Sequence, residues 1–326
     1  MGFPGPERRL PRVGRSAIRP IAMKILLLGR NGQVGWELQR SLSTLGEVVA
    51  LTSDSHQNPD GLCGDLSDLD GLAQTVRRVA PKIIVNAAAY TAVDRAETQA
   101  ELAHTVNAKA PAVLAEEAKQ LDAWLVYYST DYVFNGSGSA PWLEDDTTGP
   151  LSTYGRTKLE GEKAVTAWAK HLIFRTSWVY SARGANFAKT MLRLASEKEQ
   201  FQVIDDQWGS PTSAELLADV TVTALRACMG QPNLAGLYHC AASGETNWNA
   251  YARFVIEQAS ALGATFKASP RDIDAIPSAQ YPTAAARPLN SRLNSDRLQS
   301  TFSLHLPLWQ QGVSRMLQEV LGESKK

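Results

Sequence analysis

A chain of 326 residues with 33 basic and 33 acidic side chains, 44% hydrophobic and 20% charged, can form one large domain or two ordinary ones and is too apolar to be wholly disordered. Its zero formal charge argues against a general nucleic-acid binder, and no apolar run reaches the ~18 residues of a membrane span. Three cysteines (Cys63, Cys228, Cys240) without a C-x-x-C pair fit a reducing cytoplasm, and five histidines without H-x-x-x-H spacing read as surface or core residues, not metal ligands.

Residues 1–22 hold five arginines against one acid, Glu7, and four prolines; without them the remainder carries 28 basic and 32 acidic residues, a balance near −4. The segment lacks the apolar core of a secretory signal, and its prolines spoil an amphipathic helix. It is expected to be a disordered extension ahead of a start at Met23. From there, short apolar runs alternate with helical periodicity. Lys24–Gly29 (KILLLG) reads as a strand buried on both faces, Gly32–Thr44 as a helix with Val34, Leu38 and Leu42 on one side, and Glu47–Leu51 as a second strand. Asp68–Val79 (helix), Lys82–Asn86 (strand), Asn107–Leu121 (helix), Ala123–Ser129 (strand), Tyr154–Ala169 (helix) and Leu172–Thr176 (strand) follow. This order predicts an α/β fold, a Rossmann-type doubly wound parallel sheet over residues 23–180, with ligands at the carboxyl ends of the strands. Beyond Tyr180, helices at Asn186–Ser196, Ala214–Cys228, Asn247–Ala261 and Leu308–Leu321 alternate with irregular connections such as Ile276–Pro288. Residues 181–326 are therefore expected to form a smaller, mixed, mainly substrate-binding domain, with segments returning to the first.

Gly29, Gly32 and Gly35 form G-x-x-G-x-x-G between the first strand and the first helix. Glycines there let the backbone approach a pyrophosphate, and the helix N-terminus offers free N–H groups to that anion. The acid that often bonds the adenosine ribose at the end of the second strand is replaced by Thr52, which removes repulsion towards a 2′-phosphate. Arg30, inside the loop, could pair with such a phosphate. NADPH should then be accepted, with NADH left open. Tyr154 and Lys158 form Y-x-x-x-K at a helix start, on one helix face. A free tyrosine is a poor acid–base group near neutrality, and a neighbouring lysine cation should lower its pKa. Ser129-Thr130-Asp131 ends a buried strand, where a hydroxyl can bond the reacting oxygen; Asn86–Tyr90 ends another, with small residues that would let the backbone approach a cofactor. Arg287 could pair with a diphosphate or with a carboxylate in a structural ion pair. Trp124, Trp168 and Trp309 read as packing residues.

Together these parts resemble the extended, sugar-nucleotide branch of the short-chain dehydrogenase/reductase superfamily. Longer blocks resemble its dTDP-4-dehydrorhamnose reductase family from Met23 to about Glu319: Gly29–Glu37 (GRNGQVGWE), Asn86–Asp94 (NAAAYTAVD), Tyr128–Phe134 (YSTDYVF), Tyr154–Lys163 (YGRTKLEGEK), Arg175–Tyr180 (RTSWVY), Asp206–Leu217 (DQWGSPTSAELL) and Arg287–Asn294 (RPLNSRLN). The resemblance implies a cytoplasmic enzyme that uses NADPH to reduce the C4 keto group of dTDP-4-dehydro-L-rhamnose to dTDP-L-rhamnose, a precursor of cell-surface polysaccharide. It implies Tyr154 as proton donor, Lys158 as its partner and Thr130 orienting the carbonyl. Gln33 and Val34 would contact the cofactor with the loop glycines, Asp65 and Leu66 would lie near the adenine, and Ala89, Tyr90 and Thr91 near the nicotinamide. Thr130, Asp131 and Trp178 would contact the dTDP-sugar. Glu37, Glu215 and Glu319 match positions at which Mg²⁺ can bridge subunits, and a homodimer is expected. Departures from the family pattern are Thr52, extra residues around Ser55–Asp60, and Tyr90. A sugar-nucleotide 4,6-dehydratase would want Asp-Glu after the threonine, whereas Asp131 precedes Tyr132; a 4-epimerase would keep its cofactor without net redox change. A non-catalytic partner, like the regulatory subunit of methionine adenosyltransferase that shares this fold, is opposed by the intact Thr130, Tyr154 and Lys158.

Overall fold

The computed structural model describes residues 23–323, so the extension expected over 1–22 lies outside the described residues. The first half follows the expected alternation: β1 (Lys24–Leu28), α1 (Gln33–Leu42), β2 (Glu47–Leu51), α2 (Leu69–Val79) and β3 (Ile83–Asn86). The helical region before the next strand is broken into α3 (Val93–Ala96), α4 (Ala100–His104), a π-helical turn at Thr105–Lys109, and α5 (Ala110–Gln120). Then come β4 (Trp124–Thr130), α6 (Thr153–Thr166) and β5 (His171–Thr176). The later half contains more short strands than its texture announces: β6 (Val179–Tyr180), α7 (Phe187–Glu197), β7 (Phe201–Ile204), β8 (Trp208–Gly209), β9 (Thr212–Ser213), α8 (Ala214–Gly230), β10 (Gly236–His239), β11 (Thr246–Asn247), α9 (Trp248–Ala261), β12 (Ile273–Ile276), α10 (Asp296–Phe302) and α11 (Trp309–Glu323).

Six strands make one parallel sheet in the order β2-β1-β3-β4-β5-β10. Ile25, Leu26, Leu27 and Leu28 are wholly buried because helices cover both faces, which is why β1 shows no polar alternation. One face packs against α1, α8 and α10, and the other against α2 and α5. A separate core forms around α7, α9 and α11 and the parallel pair β7–β12, built almost wholly from residues after Tyr180. Trp124 lies in the first core and Trp309 in this second one, while Trp168 packs on the sheet and donates its Nε1–H to the Ala123 carbonyl. The sixth strand, β10, comes from the C-terminal half and closes the sheet edge beside β5. Register places Leu28 opposite both Leu51 and Asn86. The carboxyl ends of β1 and β3 therefore align where strand order reverses, the crevice in which open α/β sheets bind ligands. Among the described residues no helix is long and apolar enough to cross a membrane.

Candidate active site

A cavity of about 630 Å³ opens at that reversal point. Its first wall is the glycine loop. Gly29 adopts φ +86°, a left-handed conformation suited to glycine, and a β-carbon there would lie 2.8 Å from the Ala88 nitrogen. A β-carbon on Gly35 would lie 2.0 Å from the Gly29 carbonyl oxygen, so the loop closes onto α1 only without side chains. Gly32 is the N-cap of α1 and no side chain caps the helix, leaving its first N–H groups free for an anion. Gly29, Gly32, Gln33, Val34, Asp65, Leu66, Ala89 and Thr91 line the cavity as the sequence leads one to expect, and Tyr154 and Lys158 line it too.

Three expected cofactor residues sit differently. Gly35 acts behind the wall, through close packing. Tyr90 has its backbone clamped by the Asn107 side chain, and its hydroxyl donates to Gln99 Oε1 at 2.6 Å, away from the cavity lining. Arg30 does not reach the cavity: its guanidinium donates to the Ala50 carbonyl at 3.3 Å and the Gln57 carbonyl at 2.8 Å. Gln57 belongs to the extra residues after β2, which Asn58 ties to Thr52 through hydrogen bonds in both directions. The residues after β2 thus hold the Arg30 guanidinium, while Thr52 and Ser53 line the cavity.

The second wall comes from β4 and α6. Ser152 caps α6, accepting from the Gly155 N–H, and Glu97 accepts from the Thr153 backbone and hydroxyl, so the first turn carrying Tyr154 is held at both sides. A β-carbon on Gly155 would meet the Tyr132 carbonyl oxygen at 2.2 Å, which sets how closely this turn approaches the end of β4. Lys158, 2% exposed, donates to the Tyr128 carbonyl at 2.6 Å and lies 3.9 Å over the Tyr127 ring. Tyr127 in turn donates to the Asn107 carbonyl at 3.0 Å. That carbonyl lies in the π turn, a distortion frequent at functional sites, and is free because the residue four on, Pro111, has no N–H to offer it. Sequence reasoning missed Asn107, although Pro111 four residues on, with no N–H to give, signals that its carbonyl is free for another donor.

The electrostatics differ from expectation. A lysine cation was expected to lower the tyrosine pKa, but burial pushes Tyr154 up to about 12; a hydrogen bond with Thr130 pulls it down and the Asp131 charge pushes it further up. Burial likewise pushes Lys158 down to about 7, opposed by Glu162 one turn later. The reason is burial: both groups sit in low-dielectric surroundings, and a lysine held at about 7 is itself only partly charged near neutrality. Tyr154 remains partly open to the cleft, yet its low-dielectric surroundings dominate. Thr130 is buried and bonds Asp131 Oδ1 at 3.1 Å, while accepting from the Tyr132 N–H at 3.2 Å. Burial pushes Asp131 up to about 7, with Ser291 and Thr130 hydrogen bonds pulling the other way.

Among the described residues, the buried polar atoms without a partner include Asn86 Nδ2, Ser129 Oγ, Asp131 Oδ2 and Thr176 Oγ1, at the ends of β3, β4 and β5. Ser129 and Thr176 line the cavity. Buried polar groups are rarely left unpaired, so these atoms fit a ligand rich in hydroxyl and amide groups such as a dinucleotide and a sugar. Trp178 follows β5 with φ +50°, and its ring stacks on Trp248. Arg287 pairs with both oxygens of Asp94, at 3.1 and 2.7 Å, the structural ion pair that the sequence left as one of two alternatives. Glu37, Glu215 and Glu319 line one small pocket. The Glu37 carboxyl is raised first by burial and then by Glu215, with Arg40 opposing, and Glu215 is raised first by burial, with Arg315 opposing. Arg315 pairs with Glu215 at 3.3 Å and Glu319 at 3.4 Å. Among the described residues of one chain they do not form a group that could by itself hold a metal ion.

Residues 23–321 match the family described as the RmlD substrate binding domain. The chain is 54% identical to the dTDP-4-dehydrorhamnose reductase of Escherichia coli (strain K12) over 299 residues, 91% of this chain and 98% of that protein. Its fold is similar to the crystal structure of a dTDP-4-dehydrorhamnose reductase from Clostridium acetobutylicum, with a TM-score of 0.82 at 32% identity, covering 92% of this chain and all of that one. The dTDP-4-dehydrorhamnose reductase from Bacillus anthracis, crystallised in complex with NADP, is similar with a TM-score of 0.81 at 31% identity, covering 91% of this chain and 99% of that one.

Proposed function

The chain belongs to the RmlD substrate binding domain family, that of the dTDP-4-dehydrorhamnose reductases, and on that footing we propose how its residues divide the reaction. The protein is an oxidoreductase that uses NADPH to reduce the C4 keto group of dTDP-4-dehydro-L-rhamnose, giving dTDP-L-rhamnose. The observation that carries the residue assignment is the meeting of Tyr154 and Lys158 in one cavity with an uncapped helix N-terminus, and with Thr130 hydrogen-bonded beside them. The reduced nicotinamide, when bound, supplies a hydride to C4. Tyr154 gives its phenolic proton to the C4 oxygen. A tyrosine held at about 12 is fully protonated at neutral pH and so starts loaded as an acid, and the alkoxide that develops is basic enough to take the proton. Thr130 orients that oxygen. Lys158 bonds the nicotinamide ribose and regains its charge as an anionic ligand enters and as Tyr154 becomes a phenolate. Trp178 and Asp131 contact the sugar nucleotide. The second core, around α7, α9 and α11, supplies the substrate side of the cleft. A dehydratase reading is disfavoured because Tyr132 stands where a second carboxylate would, its ring edge-on to Tyr154 at 5.7 Å.

With the sugar nucleotide present, NADPH absorbance should decay and one equivalent of released NADP⁺ should appear per dTDP-L-rhamnose. A product formed with no net change in nicotinamide would sink the reductase assignment.

For cofactor choice we propose that both NADPH and NADH are accepted and that Arg30 contributes little, since Gln57 and Ala50 hold it. Thr52→Asp should weaken NADPH by about tenfold or more through repulsion of the 2′-phosphate while sparing NADH. Arg30→Ala should change the NADPH/NADH ratio of kcat/KM by less than about threefold. A large loss of NADPH preference in Arg30→Ala would return the phosphate to that residue.

We also propose that Glu37, Glu215 and Glu319 lie at a homodimer contact, where a second copy would complete a divalent-cation site. The crowding of carboxylates supports this, because a cation would relieve it as Arg315 and Arg40 partly do. Sedimentation should show a dimer that loosens with EDTA and re-forms with Mg²⁺; a mass indifferent to both excludes the metal. A cytoplasmic setting accords with the free thiols of Cys63, Cys228 and Cys240, and activity confined to another cell fraction would contradict it.

A further inference from the structure

Trp178 has a backbone that a bulky side chain rarely adopts. Its φ of +50° lies in the left-handed region. Such a conformation persists only where the surroundings over-determine it, and it gathers at sites where a side chain must point one way. Here two neighbours supply that constraint. Trp248 stacks on the Trp178 ring with centroids 3.6 Å apart and planes 16° from parallel. Gly209 lies against the ring itself: a β-carbon there would sit 2.8 Å from Cε2, 3.0 Å from Cζ2 and 3.2 Å from Nε1 of Trp178, nearest the ring-fusion carbon and so over the indole face.

The two constraints are built together. Gly209 ends β8 and pairs with Thr246 in β11, while Trp208 pairs with Asn247. Asn247 is the N-cap of α9, and Trp248 is the first residue of that helix. The short ribbon thus carries Gly209 and Trp248 to the same indole from two sides. Trp248 cannot drift: its Nε1 donates to Gln207 Oε1 at 3.2 Å, and Phe187 packs on it at 4.5 Å. Behind Phe187 stand Tyr251 and then Trp309, so the stack is anchored in the second core. Neither Gly209 nor Trp248 lines the cofactor cavity.

We propose that Trp248 is a positioning residue which, with the missing side chain of Gly209, locks the Trp178 indole in the one orientation that docks the dTDP-sugar. This rests on the reading of Trp178 as a substrate contact. An indole stacked by Trp248 and closely covered by the Gly209 backbone keeps little freedom to lose on binding, so its contact with substrate is pre-organised. The positioning should show in substrate affinity and not in cofactor affinity.

The test compares Trp248→Ala, Trp248→Phe, Gly209→Ala and Trp178→Ala in the full chain, with KM for the sugar nucleotide, kcat, NADPH affinity by titration, and circular dichroism of the coupled indole pair. Trp248→Ala and Gly209→Ala should each raise that KM about tenfold, change kcat less than about threefold, leave NADPH affinity intact and abolish the coupled-indole signal. Trp248→Phe keeps an aromatic face and should recover most of the affinity. Gly209→Ala adds one methyl group and carries the test alone should Trp248→Ala fail to fold. A raised KM in Trp178→Ala beside wild-type values in Trp248→Ala and Gly209→Ala overturns the positioning role alone. An unchanged KM in Trp178→Ala overturns the substrate contact itself, and the positioning role with it.

Discussion

Tyr154→Phe should lower kcat by a factor of about 10² to 10⁴, the usual contribution of a positioned general acid, while NADPH binding stays near the wild-type value. The substitution removes one oxygen from a ring whose place is set by other things: the Ser152 cap, the Glu97 bonds to Thr153 and the edge contact with Tyr132. Stopped-flow hydride transfer with the sugar nucleotide and cofactor titration in the same preparation separate the two quantities. Because the Tyr154 hydroxyl is held at about 12, its titration should not limit the wild-type rate near neutrality. An acidic or neutral limb in the pH–rate profile must therefore come from other groups, with Lys158 and Asp131, both near 7, the first to examine. Turnover close to wild type in Tyr154→Phe would remove Tyr154 from the proton path.

Lys158→Met should cost activity and add stability. The ammonium is buried, and its pKa falls from 10.5 to about 7, which corresponds to about 5 kcal/mol of penalty on the charged form. The lost hydrogen bond to the Tyr128 carbonyl is worth about 1.5–3 kcal/mol, so the charge penalty wins. The sign with pH follows from proton counts. Below about 7 the lysine is charged in both folded and unfolded chains, and folding bears the whole penalty. Between about 7 and 10.5 the unfolded chain binds more protons than the folded one, so wild-type stability rises with pH. The variant should therefore melt above wild type at about pH 6, and the gap should close as pH approaches 10. Its kcat/KM should fall by about 10² or more, with weaker NADPH binding, since the group that holds the ribose and stabilises the phenolate is gone. Thermal melts of both chains across that range provide the check; a variant less stable than wild type at low pH would mean the lysine is not buried as a charge.

The loss of turnover in Tyr154→Phe follows from the motif alone; the stability gain and pH dependence of Lys158→Met do not. Y-x-x-x-K places both side chains on one face of α6, and that much is a matter of helical spacing. Whether the cation faces the phenol depends on Tyr127, Tyr128 and the π turn at Asn107, which arrive from other elements. The same division separates the two arginines. Arg30 stands in the glycine loop, where proximity to a 2′-phosphate is a fair inference, yet Gln57 of the adjoining insertion takes it. Arg287 meets Asp94, 193 positions away in the chain. A charged side chain selects its partner from whatever packing brings near, and no periodicity encodes that.

The glycine loop was legible because its requirement is local: β1, the turn and α1 are contiguous, and only glycine tolerates the contacts at positions 29 and 35. The buried strands were legible too, since a strand covered on both faces must be apolar throughout. Helices α7, α8, α9 and α11 showed through their 3.6-residue period. The short strands β6 to β12 did not, as two to four residues carry no periodic signal. Among them, Gly236–His239 became the sixth strand of the sheet only by lying beside β5. Backbone geometry repeats along the chain and leaves a pattern in it, so fold class and the acid–base pair could be read from residue order. Desolvation, ion-pair choice and the stacking of Trp178 on Trp248 depend on which distant surfaces are buried together. Those were decided by packing, and they set the protonation and the orientation with which the site meets its substrates.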